Sequence, residues 1–139
     1  NGLDARINEI GLDGFANFYN RFTDDEKKYI KTCVDTCHIY AAGYDIGVAA
    51  NCNKLFEEFN EKIGLEHLCL IHLNDSKKKC NSRVDRHENL GEGNIPKSVF
   101  VQLLNNPRTK NIPFILETPG FEKKGPDKKN IDIAKSFII

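Results

Sequence analysis

Three short segments of this chain end in side chains able to hold a metal ion. Cys33-Val34-Asp35-Thr36-Cys37-His38 offers Asp35 and His38, Ile71-His72-Leu73-Asn74-Asp75 offers His72, and Leu116-Glu117-Thr118-Pro119 offers Glu117. A polar stretch between the second and third, Asp85-Arg86-His87-Glu88, adds Asp85 and His87. Neutral imidazole with carboxylate is the usual donor set of zinc in open, catalytic sites. Ions held close together suit phosphoryl chemistry, because two metals about 3.5–4 Å apart can clamp the attacking and leaving oxygens of an in-line displacement. Each residue alone has a plainer reading. A carboxylate at a strand end caps a helix or bonds a loop, His72 reads as a satisfied core histidine, and 85–88 reads as solvated charge. The joint pattern argues for metal. Asp, His and Glu close three successive strand candidates, and three of the four His fall at these points. His67 stands at the start of a strand and reads as structural.

The elements that must position these residues alternate. Leu3, Ile7 and Ile10 mark one helical face; Gly11 and Gly14 interrupt it; Phe15, Phe18, Tyr19 and Phe22 continue at helical spacing as a buried stripe. Thr23-Asp24-Asp25-Glu26 reads as a polar connection, and a strand is expected over 29–34, ending at Asp35. Residues 41–47 read as a loop. A helix follows over 48–63 with Cys52, Leu55, Phe56, Phe59 and Ile63 on its apolar face, and Gly64 stands where a helix-ending glycine belongs. The near-continuous apolar run 67–73 reads as a strand buried on both faces. Residues 74–95 form a long polar loop, a feature usually tied to function. Pro96 opens a helix burying Val99, Phe100, Leu103 and Leu104. A third strand is expected over 114–116, and a short helix over 130–137. Alternating helices and strands argue for an α/β fold with a parallel sheet, in which function collects at the C-terminal strand ends.

Composition bounds the rest. With 139 residues the chain suits one domain and is too short for a complete eight-fold barrel, which needs about 200–250. It contains no Met and begins at Asn1, so it reads as a processed product or a piece of a longer chain. At 40% hydrophobic and 29% charged it reads as soluble and globular, with no run long enough to span a membrane. Lys plus Arg equals Asp plus Glu at 20 each, so net charge does not mark a nucleic-acid binder. Nor does it exclude one, because bound metal ions can supply the positive charge. Five Cys without a C-x-x-C pair argue against a disulfide framework or zinc ribbon, and for a reducing, intracellular setting.

At these same residues the sequence resembles the endonuclease IV family of zinc-dependent apurinic/apyrimidinic endonucleases (AP endonuclease family 2). The matching stretches are CVDTCHIYAAGYDI at 33–46, HLNDSK at 72–77, SRVDRHENLGEGNI at 82–95 and IPFILETP at 112–119. They run in the family's order and spacing across nearly the whole chain from Cys33 onward. The resemblance implies the C-terminal part of a xylose-isomerase-like TIM (β/α)8 barrel, with about three strands and flanking helices, and residues 1–139 as the C-terminal portion of that single domain. It implies a monomer that cleaves double-stranded DNA on the 5′ side of an abasic site, leaving a 3′-hydroxyl, as in base excision repair. Up to three zinc ions belong to the complete family site, with ligands for about two present here. His38, Asp85 and His87 match one ligand set; Asp35, His72 and Glu117 match three ligands of a second. Asp35, His72 and Glu117 are also the expected catalytic residues. Arg83, Arg86, Asn74, Lys77 and Ser82 are the expected DNA contacts, whereas Lys78, Lys79, Lys123 and Lys124 read as solvated surface. The alternatives are a fragment keeping only part of this site, or a metal-dependent sugar isomerase of related fold. The HLNDSK and DRHE segments fit the nuclease pattern better than the isomerase one.

Overall fold

The computed structural model describes residues 2–139, with side chains from Gly11 onward. The expected apolar face at Leu3, Ile7 and Ile10 lies outside the described side chains. Helix α1 (Gly2–Tyr19) is broken at Gly11, whose φ of 63° and ψ of −171° are not helical, so the segment is helical in two parts; Gly14, expected to share the interruption, stays helical. The buried stripe beyond the break is Leu12, Phe15, Ala16 and Tyr19. Phe18, expected in that stripe, is instead exposed and stacks edge-on against Phe22.

The polar connection at 23–26 forms a short helix, α2 (Asp24–Lys27). Thr23 and Glu26 build a capping box, each side chain bonded to the other residue's backbone N–H. The strand that follows is shifted from its expected place. β1 is Thr32–Asp35, while Tyr29 is 89% exposed outside it. Aromatic and β-branched residues gave 29–31 strand character, but no neighbouring strand pairs with them.

Three strands make one parallel sheet in the order β1-β2-β5, where β2 is Leu68–His72 and β5 is Phe114–Ile115. β2 follows a 3₁₀ turn at Leu65–His67, so the strand begins one residue later than expected and ends one residue earlier. Helix α4 (Ala49–Lys62) returns the chain from β1 to β2, and α5 (Lys97–Asn105) from β2 to β5. α4 buries Cys52, Leu55, Phe56 and Phe59 of its expected face, and α5 buries Val99, Phe100 and Leu103, with Leu104 only partly buried against them. Full burial of one such side chain stabilises the fold by about 1.5–3 kcal/mol. These faces join Leu68 and Ile71 of β2 in one core. The last helix, α6 (Lys128–Ser136), starts two residues before its expected position because Asp127 caps it, accepting from Asn130 N.

Besides α2 and the 3₁₀ turn, one helix and one strand pair were not expected. Helix α3 (Thr36–Ala41) begins directly at the end of β1, and all six of its residues are buried, so it shows no polar face to give it a helical period. The long loop after β2 carries a small antiparallel pair, β3 (Asp75–Ser76) with β4 (His87–Glu88). Asp75 anchors the far end of that loop. Its fully buried carboxylate accepts from the backbone N–H groups of Ser76, Gly91, Gly93 and Ile95 at 2.7–3.0 Å. Burial pushes the Asp75 carboxyl up despite these bonds. Gly93 must be glycine for this packing, since a Cβ there would run into the Asp75 carboxylate and the Ser76 carbonyl. Among the described residues no helix is long and apolar enough to cross a membrane, and Cys37, Cys52, Cys69 and Cys80 are free thiols.

Candidate metal centre

Sheet register brings the strand ends level. Asp35 pairs with His72, and His72 pairs with Ile115, so Glu117 stands two residues beyond the same rim. Parallel strands place their C-terminal ends on one edge, and here that edge is lined with acids and imidazoles.

Asp35 does two jobs with its two oxygens. It is the N-cap of α3, with Oδ1 accepting from Cys37 N at 2.8 Å and His38 N at 3.2 Å. That leaves Oδ2 turned into the site. It accepts from Asn74 Nδ2 at 2.8 Å and faces His72 Nδ1 at 3.5 Å, His87 Nε2 at 3.6 Å and His38 Nε2 at 3.9 Å. Burial alone would push this carboxyl up. The bonds from His72 and Asn74 and the nearby His38 and His87 outweigh it, so Asp35 is held below the usual carboxylate range.

His72 lies between two carboxylates. Its Nδ1 is 2.9 Å from Glu117 Oε2 and 3.5 Å from Asp35 Oδ2. Asp35, then Glu117, pull the imidazole up to about 9 against the opposing effect of burial.

The second group grows from α3 and the loop. His38 Nε2 is 3.0 Å from Asp85 Oδ2, and His87 Nε2 is 3.3 Å from Asp85 Oδ1, so one carboxylate spans both rings. The rings are 5.5 Å apart. His87 Nδ1 bonds the Glu117 carbonyl at 3.1 Å, which aims Nε2 at the acids. That Nε2 is buried and makes no hydrogen bond.

Ligand atoms lie within 4.8 Å of one another in three sets: Asp35, His38 and His87; Cys37, Asp85 and His87; and Asp35, His72 and Glu117. All six expected ligands therefore meet in one cluster, with Asp35 shared between its two halves. Cys37 was not among the expected ligands. Its Sγ is 3.7 Å from Asp85 Oδ1 and 3.6 Å from the Arg86 carbonyl, and burial pushes its thiol up to about 12. A protonated thiol there is a weak donor that steadies Asp85.

The expected DNA contacts divide. Arg83, Arg86 and Lys77 are exposed and Ser82 is half-buried, all on the loop that carries Asp85 and His87. Arg83 has a φ of 58° and donates through Nε to Asn81 Oδ1, and Arg86 donates to the Asp85 carbonyl at 2.7 Å. Lys77 stands 3.7 Å from Glu88. Asn74 does not belong with them. It is 0% exposed and both ends of its amide are spent within the cluster, on Asp35 and on Glu117 N. The signal that could have told it apart was its place directly after an apolar strand, where a polar side chain is buried and must be bonded.

An imidazole held protonated between two carboxylates, beside a second buried imidazole nitrogen without a hydrogen bond, marks a place that favours a cation. Borderline nitrogen and hard oxygen donors in this mix suit zinc.

Comparison with known proteins agrees with the fold and places it. A family model described as "Xylose isomerase-like TIM barrel" matches residues 7–138. A protein called "Probable endonuclease 4" from Buchnera aphidicola subsp. Acyrthosiphon pisum is 53% identical over 94 residues, covering 68% of this chain and 34% of the relative. An "Endonuclease 4 homolog" of Dictyostelium discoideum is 44% identical over 113 residues, covering 81% of this chain and 20% of the relative. The chain thus spans about a third or less of the length of these relatives. Among solved structures, endonuclease IV from Thermus thermophilus superposes with a TM-score of 0.65 at 38% identity, covering 77% of this chain and 38% of that one.

Proposed function

The chain belongs to the endonuclease IV family, with its xylose isomerase-like TIM barrel fold, and from that premise we propose that its acid and histidine rim holds zinc and serves cleavage of DNA 5′ to an abasic site, leaving a 3′-hydroxyl. The observation that carries this reading is the single cluster in which Asp35, His38, His72, Asp85, His87 and Glu117 meet.

In this reading His38, Asp85 and His87 hold one ion, and Asp35, His72 and Glu117 provide three ligands to a second. Bound zinc supplies Lewis acidity to phosphate oxygens and lowers the pKa of coordinated water toward about 7. The chain's own residues do the rest. Asp35 stays ionised, as a ligand must, under the pull of its histidine neighbours. His87 is fixed in orientation by the Glu117 carbonyl. Glu117, exposed at the rim, is the carboxylate placed to meet substrate. Arg83 and Arg86 lie on the loop beside the cluster and are suited to grip phosphates through charged donors, with Lys77 and Ser82 as further contacts. An abasic sugar turned out of the duplex would reach such a rim, which stacked bases would otherwise keep away. Residues 1–139 serve here as the C-terminal portion of one barrel domain.

The test is incision of a duplex carrying one abasic site by the full-length protein, before and after chelation and after zinc is restored. Incision that disappears with chelator and returns with zinc supports the reading. Absence of incision by the zinc-loaded protein, or turnover of a ketose in its place, overturns it. Zinc counting on the 139-residue chain is the second check, with about two sites expected from the ligands it carries.

A further inference from the structure

We infer that Asn74 is a positioning residue for the Asp35, His72 and Glu117 group: one buried amide ties the ends of all three parallel strands and sets the spacing of that group. The inference rests on the zinc reading above.

β2 is the central strand of the sheet, and Asn74 lies two residues past its end. Its side chain reaches both neighbours. Nδ2 donates to Asp35 Oδ2 at 2.8 Å, at the end of β1. Oδ1 accepts from Glu117 N at 2.7 Å, just beyond β5. Its backbone is pinned as well. Asn74 N donates to Thr36 Oγ1 at 2.9 Å, and that hydroxyl donates back to the Asn74 carbonyl at 2.5 Å.

The amide has only one workable orientation. A turned amide would set NH₂ against the Glu117 N–H and oxygen against the Asp35 carboxylate. It is fully buried, so neither partner can fall back on water. Two consequences follow for the ligands. Asp35 Oδ1 is already committed to capping α3, so Oδ2 is the oxygen left for a metal, and Asn74 fixes its direction. Glu117 is held at its backbone, which places its carboxylate 2.9 Å from His72 Nδ1. A side chain that orients ligands in this way typically changes metal affinity about 10–100-fold when lost.

Asn74→Asp keeps the shape and the acceptor for Glu117 N but replaces the donor with a charge facing Asp35. Asn74→Ala removes both bonds. Asn130→Ala is the matched control. Asn130 is equally buried, and it bonds Leu90 N and Asn89 Oδ1 without touching the ligands. In the full-length protein, zinc affinity is read by competition with a chromophoric chelator, the site's geometry by the visible spectrum of the cobalt-substituted protein, and folding by thermal unfolding in chelator. Both Asn74 variants are expected to lose zinc affinity about 10–100-fold with a changed cobalt spectrum. Asn130→Ala is expected to lower only the unfolding temperature. Wild-type zinc affinity and spectrum in either folded Asn74 variant, or equal loss in the Asn130 variant, overturns the inference. An Asn74→Asp chain that unfolds in chelator and refolds on zinc to wild-type affinity overturns it as well. If the wild-type protein itself binds no zinc, the underlying reading fails, which is a different result from tight zinc binding that ignores Asn74.

Discussion

β2 carries a histidine at each end, His67 just before its first residue and His72 as its last. His67 packs its ring against Tyr19, 5.4 Å between centroids, and its carboxylate neighbour is the exposed Glu66 at 3.6 Å. Nearby, Thr32 Oγ1 donates to the His67 carbonyl at 2.7 Å. At the other end His72 lies between Asp35 and Glu117, with Asp85, His38 and His87 in the same cluster. The imidazoles are the same, and the difference lies in what adjacent strands bring to each end. Parallel strands aim all their C-terminal ends at one rim, where each strand contributes its terminal side chain. The opposite end receives backbone groups, ring faces and returning helices. One end holds a fold together and the other gathers charge.

The largest expected effect breaks this contrast at the rim. His72→Asn is expected to weaken zinc by more than about 100-fold, beyond what loss of an orienting neighbour costs. The corresponding change at the base, His67→Asn, should leave zinc affinity unchanged. Equal loss of zinc in the two variants, measured by chelator competition, would erase the distinction between the ends.

Next in size is Asp75→Asn, which tests whether the rim is also a structural clamp. An amide can accept on one side only, so at least one pair among the N–H groups of Ser76, Gly91, Gly93 and Ile95 would face NH₂. The expected cost is about 2–6 kcal/mol, since each of the two buried donors left unpaired costs about 1–3 kcal/mol. Urea unfolding reads it. A loss below about 0.5 kcal/mol, the size of an ordinary surface change, would show that loop 91–95 is held by something else.

Smaller changes belong to the base. Thr32→Val removes the bond to the His67 carbonyl and should cost about 1 kcal/mol, with zinc affinity unmoved. Thermal unfolding in chelator and zinc competition together check it.

The smallest effect is one of pH. Asp127 caps α6, and bonds from the Asn130 and Phe121 N–H groups hold its carboxyl below the usual carboxylate range. A folded-state value below the unfolded one means the cap's contribution is complete above about pH 4 and is lost as pH falls through the lowered value. Hydrogen exchange of the Asn130 and Phe121 amides, corrected for the intrinsic pH dependence of exchange, should therefore lose protection only on the acid side. Unchanged protection there would show that the cap does not depend on charge.

Much of this was legible in the residues. The order of the main helices and strands, the faces of α4 and α5, and the polar residues at or just past the strand ends, Asp35, His72 and Glu117, follow from local period and punctuation, although β5 stops at Ile115, one residue short of its expected end. α3 was not legible, because complete burial removes the polar face that a helical period needs. β1 was misplaced toward Tyr29, because strand propensity does not say which residues find a partner. Residues 23–26 read as a connection because they are polar throughout, although Thr23 and Glu26 carry the capping-box spacing of α2.

Adjacent Asn74 and Asp75 show where sequence stops. Both are polar, both directly follow an apolar strand, and both are fully buried. One orients metal-type ligands and the other pins a loop, because successive side chains leave an extended chain on opposite sides. The sequence by itself determined which residue types stand at the strand ends, since those follow from neighbours a few positions away. Only the tertiary structure decided that Asp35 spends one oxygen on a helix and gives the other to the cluster. It also decided that Asn74 joins residues 39 and 43 positions away. Those partners meet only when β1, β2 and β5 align in register, and a register is a property of strands paired in space.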